Sequence, residues 1–459
     1  MKTLSSLIFL VFMSIYLFGQ ESRSDTSTLV LSLAEANSYA LEHSIDMEIS
    51  NMDVEIAKKK IWETMAIGLP QVTANANYQY IFEVPVLKLS TPVLTKNDIS
   101  TIESGVADTI PLFGKEGPPI PMGVQSNWTW DITASWLVFS GEYLVGLQAS
   151  KVFYNYSLAT HNKNESDVKE NVTKSYYLAL VLDENASILR ENLTVVNKTF
   201  EELKKMKEQG FVEETDMDQL EITKNTLLNA LNSLDRQKET AKRLLKFQMG
   251  VELDRNIVLS DSVPSLIKKT QIDNFIFEEL VLNNNLDYAS LEYMERLQIL
   301  GVRREQSKYL PTVALVYKHQ QLLNEPFLNF TPKDIFAISI SLPLFTSYSR
   351  HSKIQQAKIS LEKTRNSKYK LEQGLNLSYE QSKNDFLAAH EKYTLSHTNF
   401  NLSKKIYDRT LIKYSVGSAT SFELSQAQGQ YLKTQSEFFS AILELLNAKT
   451  KIDKITNKL

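Results

Sequence analysis

The side chains that most often perform catalysis or hold metals are sparse in this chain and poorly spaced for either task. Cysteine is absent, which excludes disulfides, thiol nucleophiles and zinc–thiolate sites. None of the six histidines has the spacing of a helical zinc protease. His390 and His397 could share a helix face, but ordinary surface histidines explain the pair better than a metal site does. Gly-rich phosphate loops and nucleophile elbows are also missing. The sequence therefore predicts no enzyme, no cofactor and no metal.

Two carboxylates follow the two glycine-containing reversals of the chain. Asp216 comes shortly after Gly210, and Glu423 comes shortly after Gly417. Both fall in the first turn of a predicted helix, where the helix dipole stabilises a carboxylate. Thr420 and Glu423 also have the spacing of a capping box. A structural role at the helix start accounts for both carboxylates, and it is compatible with a second role.

The net charge argues against a nucleic-acid-binding protein, and the N-terminal residues indicate an exported one. The net charge of −4 offers no basic surface for nucleic acid. Residues 1–20 hold a lysine and then an apolar stretch of about 15 residues, which predicts a secretory signal peptide. A membrane anchor is the alternative, but the stretch is short and only polar sequence follows. The rest of the chain has no apolar run near 18 residues, so any membrane crossing must use strands.

The longest predicted element is a helix of about 69 residues over positions 141–209, without a proline. At about 1.5 Å per residue it is roughly 100 Å long. From Ala179 to Leu203 the apolar residues recur at alternating spacings of three and four, which is typical of a coiled-coil seam. The remaining surface is polar, and the helix is about three times longer than a bilayer core is thick. It is therefore expected to stand beside a membrane.

The first part of the chain, residues 21–250, is predicted to combine helices with strands. Its elements are a helix over 33–67, strands over 71–80 and 128–139, the long helix, and a helix returning from Gly210 to Gly250. Each strand has one apolar and one polar face. In the second strand the apolar face is expected to hold Trp128, Trp130, Ile132, Ala134, Trp136 and Val138. Residues 82–127 between the strands are interpreted as a long exposed loop. Such strands fit a membrane barrel or a soluble hairpin with one buried face.

Residues 274–459 repeat the same order of elements after a linker or equatorial segment over 251–273. The second set has a helix over 274–308, strands over 312–321 and 335–345, a long helix over 348–416 and a last helix over 422–455. Leu310-Pro311 corresponds to Leu69-Pro70, and Gly417 corresponds to Gly210. A two-fold repeat of this kind is far more specific than any single motif in the chain.

The repeat predicts how many strands one chain supplies. Each copy provides two, so the chain provides four, which is too few to close a membrane barrel. An open strand edge in lipid leaves backbone groups unpaired, at a cost of several kcal/mol each. Three chains would supply twelve strands, an even number within the observed range. The predicted fold class is an α+β membrane protein, a trimeric twelve-stranded β-barrel continuous with a long α-helical barrel.

These patterns resemble the TolC family of trimeric outer-membrane efflux proteins over about residues 29–455. The matching stretches are Leu31-Ser-Leu-Ala-Glu-Ala-Asn, Leu69-Pro70 before a strand, Trp136-Leu-Val-Phe-Ser-Gly with Gln148-Ala-Ser beyond it, and Tyr414-Ser-Val-Gly-Ser-Ala-Thr-Ser-Phe-Glu-Leu. The chain departs from the family at Ser347 and Ser349, where the family often has glycines. That departure bears on the local bend after the last strand.

The resemblance implies a passive exit duct of a tripartite efflux or type I secretion system, with its barrel in outer membrane lipid and its helical tunnel in the periplasm. It implies a homotrimer that docks on a periplasmic membrane fusion (adaptor) protein and an inner-membrane pump of the RND or ABC type. The adaptor-docking turns would be Gly210, Phe211, Val212, Gly417, Ser418 and Ala419. By position, Asp216, Tyr414 and Glu423 match tip residues of the family's gate. Ala419 stands where some members have a tip arginine.

Two other classes of protein share parts of the pattern. A periplasmic coiled-coil adaptor would have helical hairpins but no duplicated spanning strands. A structural coiled-coil protein of the cell envelope would lack the combination of a leader and two copies. The patterns carry no information on cargo, because drug, metal and polypeptide export use similar ducts and the pump makes most of the choice.

Overall fold

The computed structural model describes residues 28–88, 119–210, 212–268, 279–326 and 329–459. The predicted signal peptide, Phe211 and the start of the second predicted repeat (274–278) lie outside these residues. The chain divides into two compact units, and each draws on both predicted repeats. The first unit comprises Met1–Val54, Ser157–Glu292 and Ser367–Leu459, and the second comprises Glu55–Tyr156 and Tyr293–Asn366.

Long helices make up most of the described chain. They are α1 (Leu33–His43), α2 (Ile45–Ala66), α3 (Gly141–Glu208), α4 (Glu214–Met249), α5 (Val263–Lys268), α6 (Leu286–Ser307), α7 (Ser349–Ser415) and α8 (Ser421–Ile455). The two longest, α3 and α7, have 68 and 67 residues, as the proline-free stretches predicted. Over the described ranges, none of the helices has a stretch apolar enough, at the needed length, to cross a bilayer.

The first unit is built on two helical hairpins, α3 with α4 and α7 with α8. Their apolar side chains form continuous buried clusters, one near the turns and another further along the same helices. Gly210 and Gly417 lie in the two turns with φ values of 80° and 74°, a left-handed conformation that glycine adopts without steric cost. Both reversals were predicted from the sequence.

The segment predicted as a linker contributes regular structure to the first unit. Strand β1 (Leu29–Leu31) pairs in parallel with β6 (Ile257–Leu259), and α5 follows. The hydroxyl oxygen of Tyr176 lies 3.0 Å from the carbonyl oxygen of Leu31 and 2.9 Å from Oδ2 of Asp261. This contact fastens the strand pair to α3, although the two strands are more than 200 residues apart in sequence.

The single helix predicted over residues 33–67 is wrong, because the backbone is extended at Ser44 and separates α1 from α2. The Ser44 hydroxyl accepts a hydrogen bond from the N–H of Met47 at 3.3 Å and so begins α2. Gly250, which ends α4, packs directly against this break. A Cβ atom at Gly250 would lie 2.1 Å from the carbonyl oxygen of His43, so the close approach requires glycine.

The predicted second repeat has a similar break at Asn285. Its Oδ1 accepts the N–H of Asp287 at 3.0 Å, and its Nδ2 donates to the carbonyl oxygen of Ile455 at 3.1 Å. Helix α6 therefore begins at Leu286 rather than at residue 274, after a short 3₁₀ turn over Leu282–Asn284. The helix predicted over residues 274–308 therefore started too early, because the apolar periodicity continues through this turn.

The second unit contains a four-stranded antiparallel sheet in the order β2–β5–β7–β8. Its strands are β2 (Gln71–Tyr80), β5 (Ser126–Ser140), β7 (Thr312–Leu322) and β8 (Asp334–Ser341). All four were predicted, two from each repeat. A separate ladder joins β3 (Val86–Leu87) to β4 (Ile120–Pro121), so the predicted loop between the first two strands includes some strand pairing.

Two details of the sheet differ from the predictions. A bulge between Leu137 and Phe139 shifts the register, so that Phe139 lies opposite Val313 and continues the apolar face in place of Val138. Strand β8 ends at Ser341 rather than at residue 345, because Pro343 has no N–H to donate to a neighbouring strand.

The chain turns from β8 into α7 without glycine. Ser347 and Tyr348 take positive φ values of 47° and 66°, which non-glycine residues rarely adopt. The bend that glycines often make in the family is therefore retained here by other residues.

Candidate functional site

The exposed face of the four-stranded sheet is apolar. Side chains from all four strands share it: Val72, Ala76, Tyr78, Trp130, Ile132, Ala134, Trp136, Leu315, Tyr317, Phe336, Ile338 and Ile340. Phe336, Ile338 and Ile340 keep 67%, 60% and 68% of their surface exposed. A contiguous exposed apolar surface of this kind marks contact with a partner or a membrane.

The opposite face of the sheet is polar and more enclosed in the central strands. Asp131 is only 5% exposed, and its Oδ2 accepts hydrogen bonds from Asn75 at 3.1 Å and Thr133 at 3.0 Å. Nζ of Lys318 lies 3.6 Å from Oδ1 of the same carboxylate. The sheet thus covers charged groups and exposes apolar ones, the reverse of a sheet in a soluble domain.

Aromatic side chains stand at both ends of the apolar face. Near one end Tyr78 packs on Trp128 with ring centroids 5.0 Å apart. At the other, Nε1 of Trp136 donates to the carbonyl oxygen of Gly68 at 2.9 Å. Eight residues separate the two tryptophans, which is about 26 Å along a strand, or about 20 Å across a membrane at the usual strand tilt. That span is comparable with the apolar band of a membrane barrel, about 25 Å.

The predicted gate residues all lie where the two hairpins turn, in the first unit. Asp216 is in the first turn of α4, Tyr414 is in the last turn of α7, and Glu423 is in the first turn of α8. Tyr414 is 6% exposed, and burial, together with the negative charge of Asp216, raises its pKa to about 12. The fold therefore brings Asp216 and Tyr414 from different hairpins into the same electrostatic environment.

Glu423 takes part in the capping box that its spacing predicted. Its N–H donates to the hydroxyl of Thr420 at 3.2 Å, while its carboxylate accepts the N–H of Thr420 at 2.8 Å. Hydrogen bonds from the backbone and side chain of Thr420 hold the pKa of Glu423 below its usual value, and Lys413 adds to the effect. For α4 the N-cap is Glu213, which makes no side-chain capping bond, so Asp216 has only the favourable dipole position.

The predicted docking turns differ in how firmly they are packed. Val212 and Ala419 are partly buried against the apolar cluster near the turns. In the second turn, the N–H of Ser418 donates to the carbonyl oxygen of Lys413 at 2.8 Å. A cavity of about 370 Å³ lies beside it, lined by Ser418, Ala419 and Glu423 among others. The two hairpins are linked here, because Nε2 of Gln219 donates to Oγ of Ser425 at 3.0 Å.

A buried aromatic stack below the turns was not predicted. Phe400, Tyr407 and Tyr414 recur every seven residues on α7, and the rings of Phe400 and Tyr407 stack on aromatic side chains of α8. Tyr407 stacks on Tyr431 with centroids 5.4 Å apart, and within the described chain the Tyr407 and Tyr414 hydroxyls have no hydrogen-bond partner. The spacing of seven was a usable signal, but the polar residues around it concealed which face is buried.

A row of buried amides lies between α3 and α8 in the same hairpin pair. Nε2 of Gln435 donates to Oδ1 of Asn185 at 2.7 Å. Seven residues nearer the turns, Asn192 and Gln428 are buried, and neither amide finds a partner among the described residues. These amides interrupt the apolar seam that the sequence predicted and fix the register in which the two helices can pack.

No group of three or more His, Cys, Asp or Glu side chains with a metal-binding arrangement occurs in the described ranges. Of the two tip carboxylates, Glu423 takes part in a capping box and Asp216 lies in a first helical turn without one.

Comparison with known proteins agrees with this geometry. A sequence model of the outer membrane efflux protein family matches residues 279–458, which is nearly all of the predicted second repeat. A sequence comparison with curated proteins gives no match.

Solved structures with the same fold cover almost the whole chain. The Campylobacter jejuni CmeC outer membrane channel has a TM-score of 0.70 and 15% identity, covering 92% of this chain and 85% of its own. CusC, studied for transmembrane channel formation, has a TM-score of 0.68 and 12% identity, with 94% and 93% covered. The open state of the Neisseria gonorrhoeae MtrE outer membrane channel has a TM-score of 0.67 and 16% identity, with 92% and 88% covered.

These findings confirm the resemblance predicted from the sequence. The chain has the fold of outer membrane efflux channels, and residues 279–458 match the sequence model of the outer membrane efflux protein family. The matched family is described as outer membrane efflux proteins, and the similar solved structures are outer membrane channels, in agreement with the outer-membrane location expected from the sequence.

Proposed function

We propose that three copies of this chain form the exit duct of a tripartite efflux or type I secretion system. The observation that carries the proposal is the four-stranded sheet, with its exposed apolar face, its enclosed polar face and its two edge strands, β2 and β8. A strand edge left open in lipid is too costly to persist. Three sheets joined with β8 of one copy beside β2 of the next give twelve strands and no open edge.

The arrangement of the helices next to the sheet supports the proposal that a helical wall continues the wall of the β-barrel. In the second unit, α2 leads into β2, β5 into α3, α6 into β7, and β8 into α7. Arg304 of α6 pairs with Glu142 of α3 at 2.7 Å, and Arg365 of α7 pairs with Glu295 of α6 at 3.1 Å. The helices therefore follow the order of the strands, as a helical barrel continuous with the β-barrel requires.

The proposed gate lies at the hairpin turns. Three copies would place three Asp216 and three Glu423 carboxylates around one axis, where like charges repel and cations are attracted. Tyr414, buried beside Asp216, would link the two hairpins in the closed state. The turns at Gly210, Val212, Gly417, Ser418 and Ala419, with Phe211, would dock a periplasmic adaptor that connects to an RND or ABC pump.

Planar-bilayer recording tests the duct and its gate together. The purified protein should conduct ions, with a preference for cations. The double variant Asp216→Asn, Glu423→Gln should lose that preference, while Glu239→Gln, Glu437→Gln removes as much charge from exposed helix positions and should keep it. A folded protein that conducts no ions would contradict the proposed duct. Unchanged cation selectivity in the Asp216→Asn, Glu423→Gln variant would contradict the proposed gate and leave these carboxylates with a structural role only.

Photo-cross-linking in cells tests the docking turns. A photoreactive residue at Ser418 should give a covalent product with a periplasmic adaptor, identified by peptide mass spectrometry. The same residue at Glu239, exposed on α4, is the control and should give none. Equal products at both positions would contradict docking through the turns.

The two alternative classes of protein fit the structure less well. Neither a coiled-coil adaptor nor a structural coiled-coil protein is expected to contain a sheet that exposes its apolar face. We also propose that residues 21–250 and 274–459 are two copies of one ancestral unit. The breaks at Ser44 and Asn285 support this, because they have the same separation, 241 residues, as Leu69 and Leu310.

A further inference from the structure

A cavity of about 930 Å³ lies in the second unit, where strand β5 meets the helices. It is bounded by α2, by the end of β5, by the first turns of α3 and by α6. Most of its lining is apolar and comes from Ile56, Ile67, Leu137, Tyr143, Phe153 and Leu297. Small-molecule sites typically have volumes of about 300–1,000 Å³ and a lining of this character.

Small side chains on α3 create the cavity. Gly146, Ala149 and Ser150 lie on the helix face that borders it. A Cβ atom at Gly146 would meet no other atom within 4 Å, so the space above this glycine is open. Glycine inside a helix is less favourable than alanine. No neighbouring atom prevents a larger side chain at position 146, and the glycine there leaves the cavity open.

The charged groups at the cavity are already paired with one another. Lys60 binds Glu63 at 2.8 Å, and Arg304 binds Glu142 at 2.7 Å. All four side chains line the cavity. A charged ligand would find no unpaired opposite charge and would lose its hydration on entering the apolar part. The cavity therefore suits an uncharged, apolar molecule.

Strand register places the cavity on the polar side of the sheet. Leu137 and Ser140 line it and lie opposite Ala314 and Thr312, on the face that also carries Asp131. In the proposed duct that face is the interior. The lining residues belong to α3 and its neighbours, α6 and the helix α2 that leads into the edge strand β2.

We infer that this cavity is a binding site for a neutral, apolar small molecule that enters from the interior of the duct. This inference rests on the proposed duct for the route of the ligand and extends that proposal to a class of substrate. The site would hold such molecules where the helical wall passes into the strand wall.

Filling the cavity tests the inference. The mature protein is placed in lipid nanodiscs and titrated with N-phenyl-1-naphthylamine, a neutral dye whose emission rises in apolar surroundings; protein-free nanodiscs give the background. Saturable binding near one dye per chain is expected. Gly146→Phe should weaken binding at least tenfold, while Gly374→Phe, at another mid-helix glycine with open space, should bind like wild type. No saturable binding, or equal binding by both variants, would overturn the inference.

A second measurement does not depend on the bulky variant. Because the chain contains no cysteine, Ala149→Cys provides a single thiol in the cavity, and Gln148→Cys provides one on the neighbouring exposed position. The dye should slow labelling by a neutral maleimide at least threefold at position 149 and leave position 148 unchanged. Equal rates at both positions with and without dye would contradict the site.

Conductance separates the two proposals. If the protein conducts ions but neither assay detects the dye, the binding site fails and the duct stands. If the protein folds and conducts nothing, the duct fails whatever the dye does.

Discussion

Arginine at position 134 places a charge on the apolar face of the sheet, two residues from Ile132, which is midway between Trp128 and Trp136. Ala134 lies opposite Val72 on β2 and Tyr317 on β7, and all three side chains share that face. The next residue, Ser135, points to the polar face, where Val316 lies opposite. Ala134→Arg and Ser135→Arg therefore introduce the same side chain one residue apart but on opposite sides of the sheet.

The expected difference between the variants follows from the cost of a charge in lipid. Arginine on the lipid face of a barrel costs about 2–4 kcal/mol near the bilayer midplane. At about 1.4 kcal/mol per factor of ten, the equilibrium ratio of folded to unfolded protein should fall roughly 30- to 700-fold for each Ala134→Arg chain. Ser135→Arg should change little. Ser135 is a better control than Thr133, because Lys318 lies opposite Thr133 and would repel a second cation.

Urea titration of folding into lipid vesicles measures this difference. The fraction of protein that regains strand signal and resists protease gives the free energy of folding for each variant. Ala134→Arg should be destabilised within the range above, and Ser135→Arg should stay within about 1 kcal/mol of wild type. Equal losses for the two variants would refute the assignment of the apolar face to lipid.

Three further results are expected. Gly250→Ala should destabilise the protein far more than Gly417→Ala in thermal unfolding. Both glycines have positive φ, but an added Cβ atom would lie 2.1 Å from the carbonyl oxygen of His43 at Gly250 and would meet nothing within 4 Å at Gly417. The pKa of Tyr414 is raised in the folded chain, so stability should fall as pH rises from about 10 to 12, and Tyr414→Phe should lose that part of the fall. The pKa of Glu423 is lowered, so its contribution should vanish as pH falls through its folded pKa, and Glu423→Gln should be less acid-sensitive.

The features that local chemistry determines could be predicted from the sequence. Pro70 and Pro311 fix where helices give way to strands, and alternating residues set the faces of β2 and β5. Gly210 and Gly417 mark the hairpin turns. Each of these signals acts within a few residues, so one sequence was enough to find it.

The features that depend on distant contacts could not be predicted. Ser44 breaks a helix whose apolar period continues, because Gly250 from another hairpin packs there. The bulge at Val138 depends on pairing with β7, and the burial of Tyr407 depends on stacking with Tyr431 of α8. Among the proposed gate residues, the spacing of Thr420 and Glu423 was enough to predict the capping box. The electrostatic effect of Asp216 on Tyr414 could not be predicted, because these residues are about 200 positions apart and belong to different hairpins.

Native mass spectrometry of the protein extracted from outer membranes tests the central claim most directly. Four strands with two open edges require partner chains, so the spectrum should be dominated by an assembly of three copies, which loses its strand signal when it dissociates. A stable single chain that retains the full strand signal in lipid would contradict the account, because its edges would then be satisfied without a second copy.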